Sequence, residues 1–479
     1  MSQQEGLDKL YQFDEEFKDT IATVDAEGKR VWVYPKKPSG NYHRRRIVVT
    51  IILLGILFAG PFIKISGRPF LLLNVFERKF VILGQAFWPQ DFFLLALLLI
   101  TFFVFIILFT VIFGRIWCGW ACPQTLFLEM VFRKIEYLIE GDANQQRKLK
   151  KAPWTAEKIS KRLTKHTIFI IISLLISHTV MAYLIGIEEV INIVSQPPSE
   201  HWAGFMGLMA FTAIFYGVFS WFREQACVAV CPYGRLQGVL LDKKSIAVMY
   251  DWVRGEPRGK LKKKVEETPK GDCIDCKLCV HACPTGIDIR NGTQLECVNC
   301  TACIDACDEV MLKVNKPQGL IRYASHESIE EGSQKIFTKR AAAYSVVLVL
   351  LLGILGFSLA TRSDIETTIL KVPGQLYQKT DDGFISNLYN IQFVNKTFDD
   401  ITLELKVLNM PEAIITKVGE GQQKVPQNGL AEGVYFIKIP ATQLESMTTT
   451  LKIGIYKNGN LLETTKTKFL GPMKMGNKK

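Results

Sequence analysis

Apolar runs alternate with charged loops from residue 47 to residue 360, after which apolar positions recur every second residue. A hydrocarbon core of about 30 Å is crossed by about 20 helical residues. Five runs meet that length: Ile47 to Ile65, Phe92 to Phe113, Thr167 to Ile187, Ala203 to Trp221 and Ala341 to Ala360. Each predicts a transmembrane helix. The shorter stretch Phe80 to Trp88 is interrupted by Gly84 and Gln85 and ends at Pro89, so it predicts a re-entrant or interfacial segment rather than a sixth span. The amphipathic run Leu126 to Ile139 predicts a helix lying along the membrane interface. Beyond Ala360, segments such as Asn390 to Val394, Ile401 to Val407 and Thr450 to Tyr456 alternate with period two, broken by turn sequences such as Lys457-Asn458-Gly459-Asn460. That pattern predicts an immunoglobulin-like β-sandwich. It contains no Cys and no His, so no catalysis is assigned to it.

With 479 residues and 48% hydrophobic content, the chain is too long for one ordinary domain and too apolar for an average soluble enzyme. Its net charge of +12 fits either a nucleic-acid partner or the retention of Lys and Arg on the cytoplasmic side of a membrane. Placement decides. Arg44, Arg45 and Arg46 precede the first run, basic residues crowd the loop from Arg115 to Lys165, and the loop from Glu188 to Trp202 has no Lys or Arg. Lys335, Lys339 and Arg340 precede the fifth run. The N-terminus and the cysteine-rich segment are therefore expected in the cytoplasm, and the tail in the periplasm of a Gram-negative cell, as a multi-pass inner-membrane protein. The first 43 residues contain no apolar signal region, so the first helix is the expected targeting signal. The basic stretch Arg254 to Lys264 is expected to meet anionic lipid headgroups, and no nucleic-acid partner is expected.

All twelve cysteines lie between Cys118 and Cys307, which points to metal or redox chemistry rather than a disulfide scaffold. The strongest motif runs Cys273, Cys276, Cys279, Cys283-Pro284 and repeats as Cys297, Cys300, Cys303, Cys307-Asp308. Three closely spaced thiolates wrap three corners of a cubane, and the fourth ligand comes from the other run. One [4Fe–4S] cluster is thus expected on Cys273, Cys276, Cys279 and Cys307, and a second on Cys283, Cys297, Cys300 and Cys303. Zinc also binds paired C-x-x-C units, but tetrahedral zinc gives no reason for the third cysteine step and trailing cysteine in both halves. Asp308 replaces the proline of the first run and adds a carboxylate that biases one potential downward.

A second pattern occurs twice, as Cys118-x-x-x-Cys122-Pro123 and Cys227-x-x-x-Cys231-Pro232. Each starts about one turn beyond a predicted span, and each proline suits the first position of a following helix. Both spans end at the same leaflet, which places the four thiols to converge. Soft thiolates suit Cu(I), another Fe–S centre or zinc; buried small hydrophobes or palmitoylated cysteines are the plainer alternatives. His178 lies at mid-membrane depth and serves either a quinone, proton or metal path or a hydrogen bond to a neighbouring helix. His43, His166 and His326 show no partner in the sequence.

These features divide the chain into an N-terminal cytoplasmic segment (1–46), a membrane domain of four helices with both C-x-x-x-C-P motifs (47–250), an inserted cytoplasmic α+β two-cluster ferredoxin-like domain (251–340), a fifth transmembrane helix (341–360) and a periplasmic immunoglobulin-like domain (361–479).

The segments Gly114 to Thr125, Phe222 to Cys227 continuing to Tyr233, Arg254-Gly255-Glu256-Pro257-Arg258-Gly259, and the double run ending Cys303-Ile304-Asp305-Ala306-Cys307-Asp308 together resemble the cytochrome c oxidase accessory protein family CcoG, also called FixG or RdxA. The resemblance covers nearly the whole chain. It implies a role in maturing cbb3-type cytochrome oxidase by reducing Cu(II) to Cu(I), with oxidase subunits or copper-delivery proteins as partners and a cytoplasmic electron donor of unknown identity. On that implication Cys118, Cys122, Cys227 and Cys231 bind or reduce copper while the other eight cysteines carry electrons. Alternatives are a quinol-linked respiratory electron-transfer subunit, similar to membrane ferredoxins that share the C-x-x-x-C-P pairs, and a non-redox assembly scaffold with structural clusters.

Overall fold

The computed structural model describes Thr23 and residues 27–472, apart from 28, 66, 77–78, 88–90, 261–270, 333–337, 364, 375, 398–399, 420–422, 428 and 445. It divides into two compact units, Met1–Gly353 and Ile354–Lys479, which are taken in turn.

Five helices are long and apolar enough to cross a membrane: Asn41–Phe62, Phe92–Phe113, Ala156–Ile185, Trp202–Phe222 and Lys339–Ala360. Large apolar side chains such as Ile51, Ile56, Leu99, Phe103, Ile171 and Leu350 are exposed on them, and lipid is the solvent that accepts such surface. The first of these helices is α1 (Asn41–Ala59), followed by strands β1 (Leu71–Asn74), β2 (Lys79–Ile82) and β3 (Gln85–Phe87) and then α2 (Phe92–Phe113). The three strands form one antiparallel sheet, with Leu71 opposite Ile82 and Phe80 opposite Phe87. Phe80 to Phe87 is thus a β-hairpin and not a sixth spanning helix. Leu83 and Gly84 both have positive φ, 52° and 78°, the two-residue turn that suits a tight hairpin. The glycine taken as an interruption is the hairpin's corner. Trp88 and Pro89 lie outside the described residues.

After α2 come α3 (Ile116–Trp120), α4 (Pro123–Leu126), a wide π-turn at Phe127–Phe132 and α5 (Arg133–Ile139). The stretch expected along the interface is instead enclosed by spanning helices. Phe132 meets Phe169 edge-on at 4.7 Å and stacks on Phe219 at 4.5 Å, and Phe127 meets Phe58 at 6.1 Å. The reason is that its polar side, including Arg133 and Glu136, is satisfied by buried charged partners rather than by water.

Next come the spanning helix α6 (Ala156–Ile185), α7 (Trp202–Gly217), which continues as a π-turn through Val218–Phe222, a second π-turn at Ala226–Val230 and α8 (Pro232–Leu240). The cysteine-rich region that follows is closed by β4 (Ala247–Tyr250) paired antiparallel with β5 (Ile321–Ala324), and it carries two short helices, α9 (Leu278–Ala282) and α10 (Ala302–Lys313). Its core packs Val248, Tyr250, Ile287, Ile289, Ile304, Met311 and Ile321 around cysteine side chains. A final helix, α11 (Lys339–Ala360), leads into the second unit.

That unit is a two-sheet β-fold. One antiparallel sheet pairs Ile414–Lys417, Leu430–Pro440, Phe384–Asn395 and Ile365–Lys371, with Gln378–Lys379 against Phe384–Asn395; the other pairs Gln423–Val425, Ile401–Val407, Thr448–Lys457 and Asn460–Leu470. Tyr389, Phe393, Ile437, Leu451, Ile453 and Phe469 form its shared core. Asn458 and Gly459 turn the final hairpin with φ of 50° and 83°, as the Asn-Gly pair predicts.

Candidate iron-sulfur centres and adjoining thiols

The two ferredoxin-type runs carry the same backbone device. Asp275 and Lys277 in the first, and Asn299 and Thr301 in the second, all have positive φ, between 51° and 65°. Alternating left-handed residues turn successive N–H groups toward one concave side, a shape suited to anionic sulfur. Cys273, Cys276, Cys279 and Cys307 line one small cavity of about 20 Å³ with Tyr250, Met311 and Ile321. Cys276 is exposed and Cys273 and Cys279 are buried.

Cys283, Cys297, Cys300 and Cys303 form the second group. Burial raises the Cys303 thiol well above its ordinary range, and Cys300, Cys297 and Cys283 raise it further. Burial likewise lifts Cys279 to about 12, Cys297 to about 11 and Cys300 to about 12. Buried thiols that resist ionisation, as at Cys279, Cys297, Cys300 and Cys303, suit polynuclear cations, whose charge holds thiolates where water does not. The spacing of each run fits the corners of a cubane.

The C-x-x-x-C-P motifs are built as a structural pair. Gly114 (φ 55°, ψ −130°) and Arg223 (φ 52°, ψ −122°) break the chain four residues before Cys118 and Cys227. The second cysteines, Cys122 and Cys231, are each the N-cap of a helix whose first residue is the proline. Arg223 holds that backbone without being glycine because its guanidinium grips Glu136 at 2.8 and 2.9 Å. Cys118 donates to Gln237 Oε1 at 3.0 Å. Burial lifts its thiol to about 11 against the pull of Arg115, with Cys122 and Cys231 adding to the rise. Burial lifts Cys227 to about 12, helped by Cys122 and Cys118. The four thiols are thus brought within electrostatic reach of one another.

This thiol group abuts the second cysteine group directly. A Cβ on Gly119 would sit 2.5 Å from the Val298 carbonyl oxygen and 2.7 Å from that of Asn299, inside the loop joining Cys297 to Cys300. Arg46 Nε donates to the Gly119 carbonyl at 2.7 Å. Trp120 Nε1 donates to the Tyr323 hydroxyl at 2.9 Å, which donates to the Asn299 carbonyl at 3.3 Å.

Several functional positions escaped sequence reasoning. Asp305 accepts from the backbone N–H of Tyr42 at 3.0 Å and His43 at 2.7 Å, capping α1 from a residue far along the chain. Arg115, Arg133, Lys158 and Lys165, read as a basic loop, are buried. Arg133 pairs with Glu129 at 3.2 Å and Glu224 at 3.3 Å and donates to the Pro284 carbonyl at 3.1 Å, beside Cys283. Lys165 pairs with Glu140 at 2.9 Å. In the Arg254 to Lys264 stretch, Arg254 pairs with Asp272, while Lys262, Lys263 and Lys264, like Lys335, lie outside the described residues.

His178 bonds the Leu174 carbonyl of its own helix at 2.7 Å. The three histidines without an expected partner have one: Asp305 for the His43 backbone, the Tyr216 hydroxyl at 2.9 Å for His166, and Glu330 at 3.4 Å for His326.

Residues 95–140 match a 4Fe–4S binding domain family, residues 222–326 a 4Fe–4S dicluster domain family, and residues 355–472 an Ig-like fold found at the C-terminus of FixG. The first match includes Cys118 and Cys122. Among curated proteins, the chain is 34% identical over 433 residues to Protein RdxA of Cereibacter sphaeroides, covering 86% of this chain and 90% of that protein. It is 33% identical over 444 residues to Protein RdxB of the same organism, covering 88% and 93%. It is 31% identical over 457 residues to Nitrogen fixation protein FixG of Rhizobium meliloti, covering 84% and 86%.

Proposed function

We propose that this chain, which belongs to the FixG/RdxA family, is a membrane-bound iron–sulfur electron carrier that reduces Cu(II) to Cu(I) for maturation of a cbb3-type cytochrome oxidase. Cys273, Cys276, Cys279 and Cys307 hold one [4Fe–4S] cluster, and Cys283, Cys297, Cys300 and Cys303 hold the other. Bound there, the clusters supply one-electron storage. The N-terminus and the clusters face the cytoplasm and the β-unit the periplasm. Partners are a cytoplasmic electron donor and either oxidase subunits or copper-delivery proteins.

The observation that carries this reading is the seating of Gly119 on the Val298 and Asn299 carbonyls. It leaves Cys118 one residue from the wall of the second cysteine group, a short path for a single electron. Copper enters as substrate. Cys118, Cys122, Cys227 and Cys231 receive Cu(II), one electron passes to it, and the soft thiolates favour the Cu(I) product. The copper step itself rests on the family resemblance and this thiolate chemistry.

The test is anaerobic purification followed by iron, sulfide and copper analysis, with Cu(I) formation read by a chromogenic chelator after reduction of the clusters. Wild type should carry about eight irons and yield Cu(I). The double variant C118S/C122S should keep those irons and lose both copper binding and Cu(I) formation. Undiminished Cu(I) formation by the variant overturns the copper role, and loss of about four irons from a larger wild-type total assigns the four thiols to a further cluster.

A specific feature favours a quinol-linked alternative. Phe102, Phe105, Ile106, Phe109, Trp117 and Tyr233 line an apolar cavity of about 200 Å³ beside the same thiols. If clusters in the purified protein are reduced by a short-chain quinol, and W117A abolishes that reduction while Cu(I) formation is absent in wild type, this reading replaces the first.

A further inference from the structure

Two buried arginines stand between the C-x-x-x-C-P thiols and the second cysteine group, and neither enters the scheme above. Arg46 and Arg115 are each 4% exposed. Arg46 holds the Gly119 carbonyl through Nε, yet its Nη2 is buried with no hydrogen-bond partner. Arg115 donates through Nη1 to the Leu295 carbonyl, two residues before Cys297, while its Nε is likewise buried and unpartnered. A Cβ on Gly234 would lie 2.8 Å from Arg115 Nη2 and 3.0 Å from the Cys227 carbonyl, so Arg115 touches the second C-x-x-x-C-P turn as well. A buried cation left partly unpaired is costly unless negative charge is supplied.

The surroundings of the two groups differ. Beside the second lie the buried Arg46, on the Gly119 carbonyl, and Arg115, on the Leu295 carbonyl; Arg133, on the Pro284 carbonyl, is already held by Glu129 and Glu224, the Asp305 carboxylate is taken up by the N-terminus of α1, and Glu296 adjoins Cys297 in sequence. The first is faced by Arg290, which is already held by Asp288 and Asp275 at 2.6 Å each. Asp308 adds a further carboxylate beside Cys307. An added electron is stabilised by net positive charge in a dry site and opposed by net negative charge.

We infer that Arg46 and Arg115 set the direction of electron flow, by raising the reduction potential at Cys283, Cys297, Cys300 and Cys303 above that at Cys273, Cys276, Cys279 and Cys307. Electrons then enter at the exposed Cys276 side and collect beside Cys118. These arginines are positioning residues: they act through the positive charge they place beside the second cysteine group. The inference rests on the cysteine assignment in the proposed function.

The experiment is an EPR-monitored redox titration of the full-length, cluster-loaded protein in detergent, with C276S and C300S assigning each signal. R46Q keeps a side-chain N–H donor and removes the charge; R115Q does the same; R46K restores it. Each Gln variant should lower the midpoint of the Cys300-side cluster by at least tenfold in its reduction equilibrium, about 59 mV for one electron. The other midpoint should stay in place, and R46K should return close to wild type. The inference is overturned if both midpoints are unmoved or if both move together. Should R46Q fail to load iron, R115Q carries the same two outcomes. A wild-type protein with no iron and no EPR signal sinks the cysteine assignment itself, a result distinct from clusters that titrate normally but ignore the arginines.

Discussion

At Gly119 a single missing side chain decides whether two thiol groups communicate. Its Cβ position lies 2.5 Å from a carbonyl oxygen of the Cys297–Cys300 loop, closer than carbon and oxygen tolerate, so Gly119→Ala forces the loop away at a cost of about 1–3 kcal/mol. Electron transfer to the C-x-x-x-C-P thiols should slow at least tenfold while iron content holds, as read by stopped-flow absorbance. Glu136 shows the same dependence on placement in electrostatics. Burial would raise its pKa, but Arg223, then Lys165, hold it below the ordinary carboxylate value. A carboxylate lowered on folding contributes stability above its unfolded pKa, and that contribution is lost as pH falls through the folded value. Glu136→Gln should therefore destabilise the protein by about 3–5 kcal/mol at neutral pH, since it leaves Arg223 buried without its partner. The gap from wild type should narrow below about pH 4, measured by thermal unfolding in detergent. The sequence marked Glu136 only as one polar position on an amphipathic run, because nothing local states that Arg223 closes on it.

Among elements, α1 depends on a residue outside its own segment. Asp305 on α10 accepts two N–H groups at the α1 N-terminus, where a carboxylate also meets the positive end of the helix dipole. Gly40 precedes it at φ 138° with the Asp305 carboxyl packed where a side chain would be. Asp305→Ala should loosen the first turn of α1 by about 1 kcal/mol. Faster hydrogen exchange at Tyr42 and His43 with unchanged exchange in α6 would check it. The existence of the five apolar helices was legible because an apolar run of that length has few other solutions, but their starts were not: the first begins at Asn41 and the third at Ala156, where polar turns extend the helix beyond the apolar run. The hairpin at Leu83-Gly84 and the burial of the helix after Pro123 are not legible in the sequence for one reason: short segments take their conformation from what surrounds them. The hairpin's corner needs only two left-handed residues, a signal that the hydropathy of Phe80 to Trp88 masks.

For the whole molecule, the iron–sulfur region and the first four apolar helices fall within one compact unit, whereas the β-unit has a closed core of its own. Residues 361–479 expressed alone should unfold in one cooperative step, followed by circular dichroism in urea. Residues 247–325 expressed alone should load the Cys276-side cluster and lose about four of eight irons, since Arg46, Arg115 and Gly119 belong to the membrane helices and their connections. Full loading of that fragment would show that the second cysteine group needs no support from them.

Spacing along the chain was enough to specify the five apolar helices, the double cysteine run and the repeated C-x-x-x-C-P motif, because each is a local pattern whose chemistry depends on neighbours within a few residues. Tertiary structure alone decided which thiols face one another across Gly119, which basic residues are buried rather than set against lipid, and which carboxylate caps the first helix. Those are contacts between residues tens to hundreds of positions apart, and electrostatic influence in a dry interior depends on distance through space, which linear order does not encode.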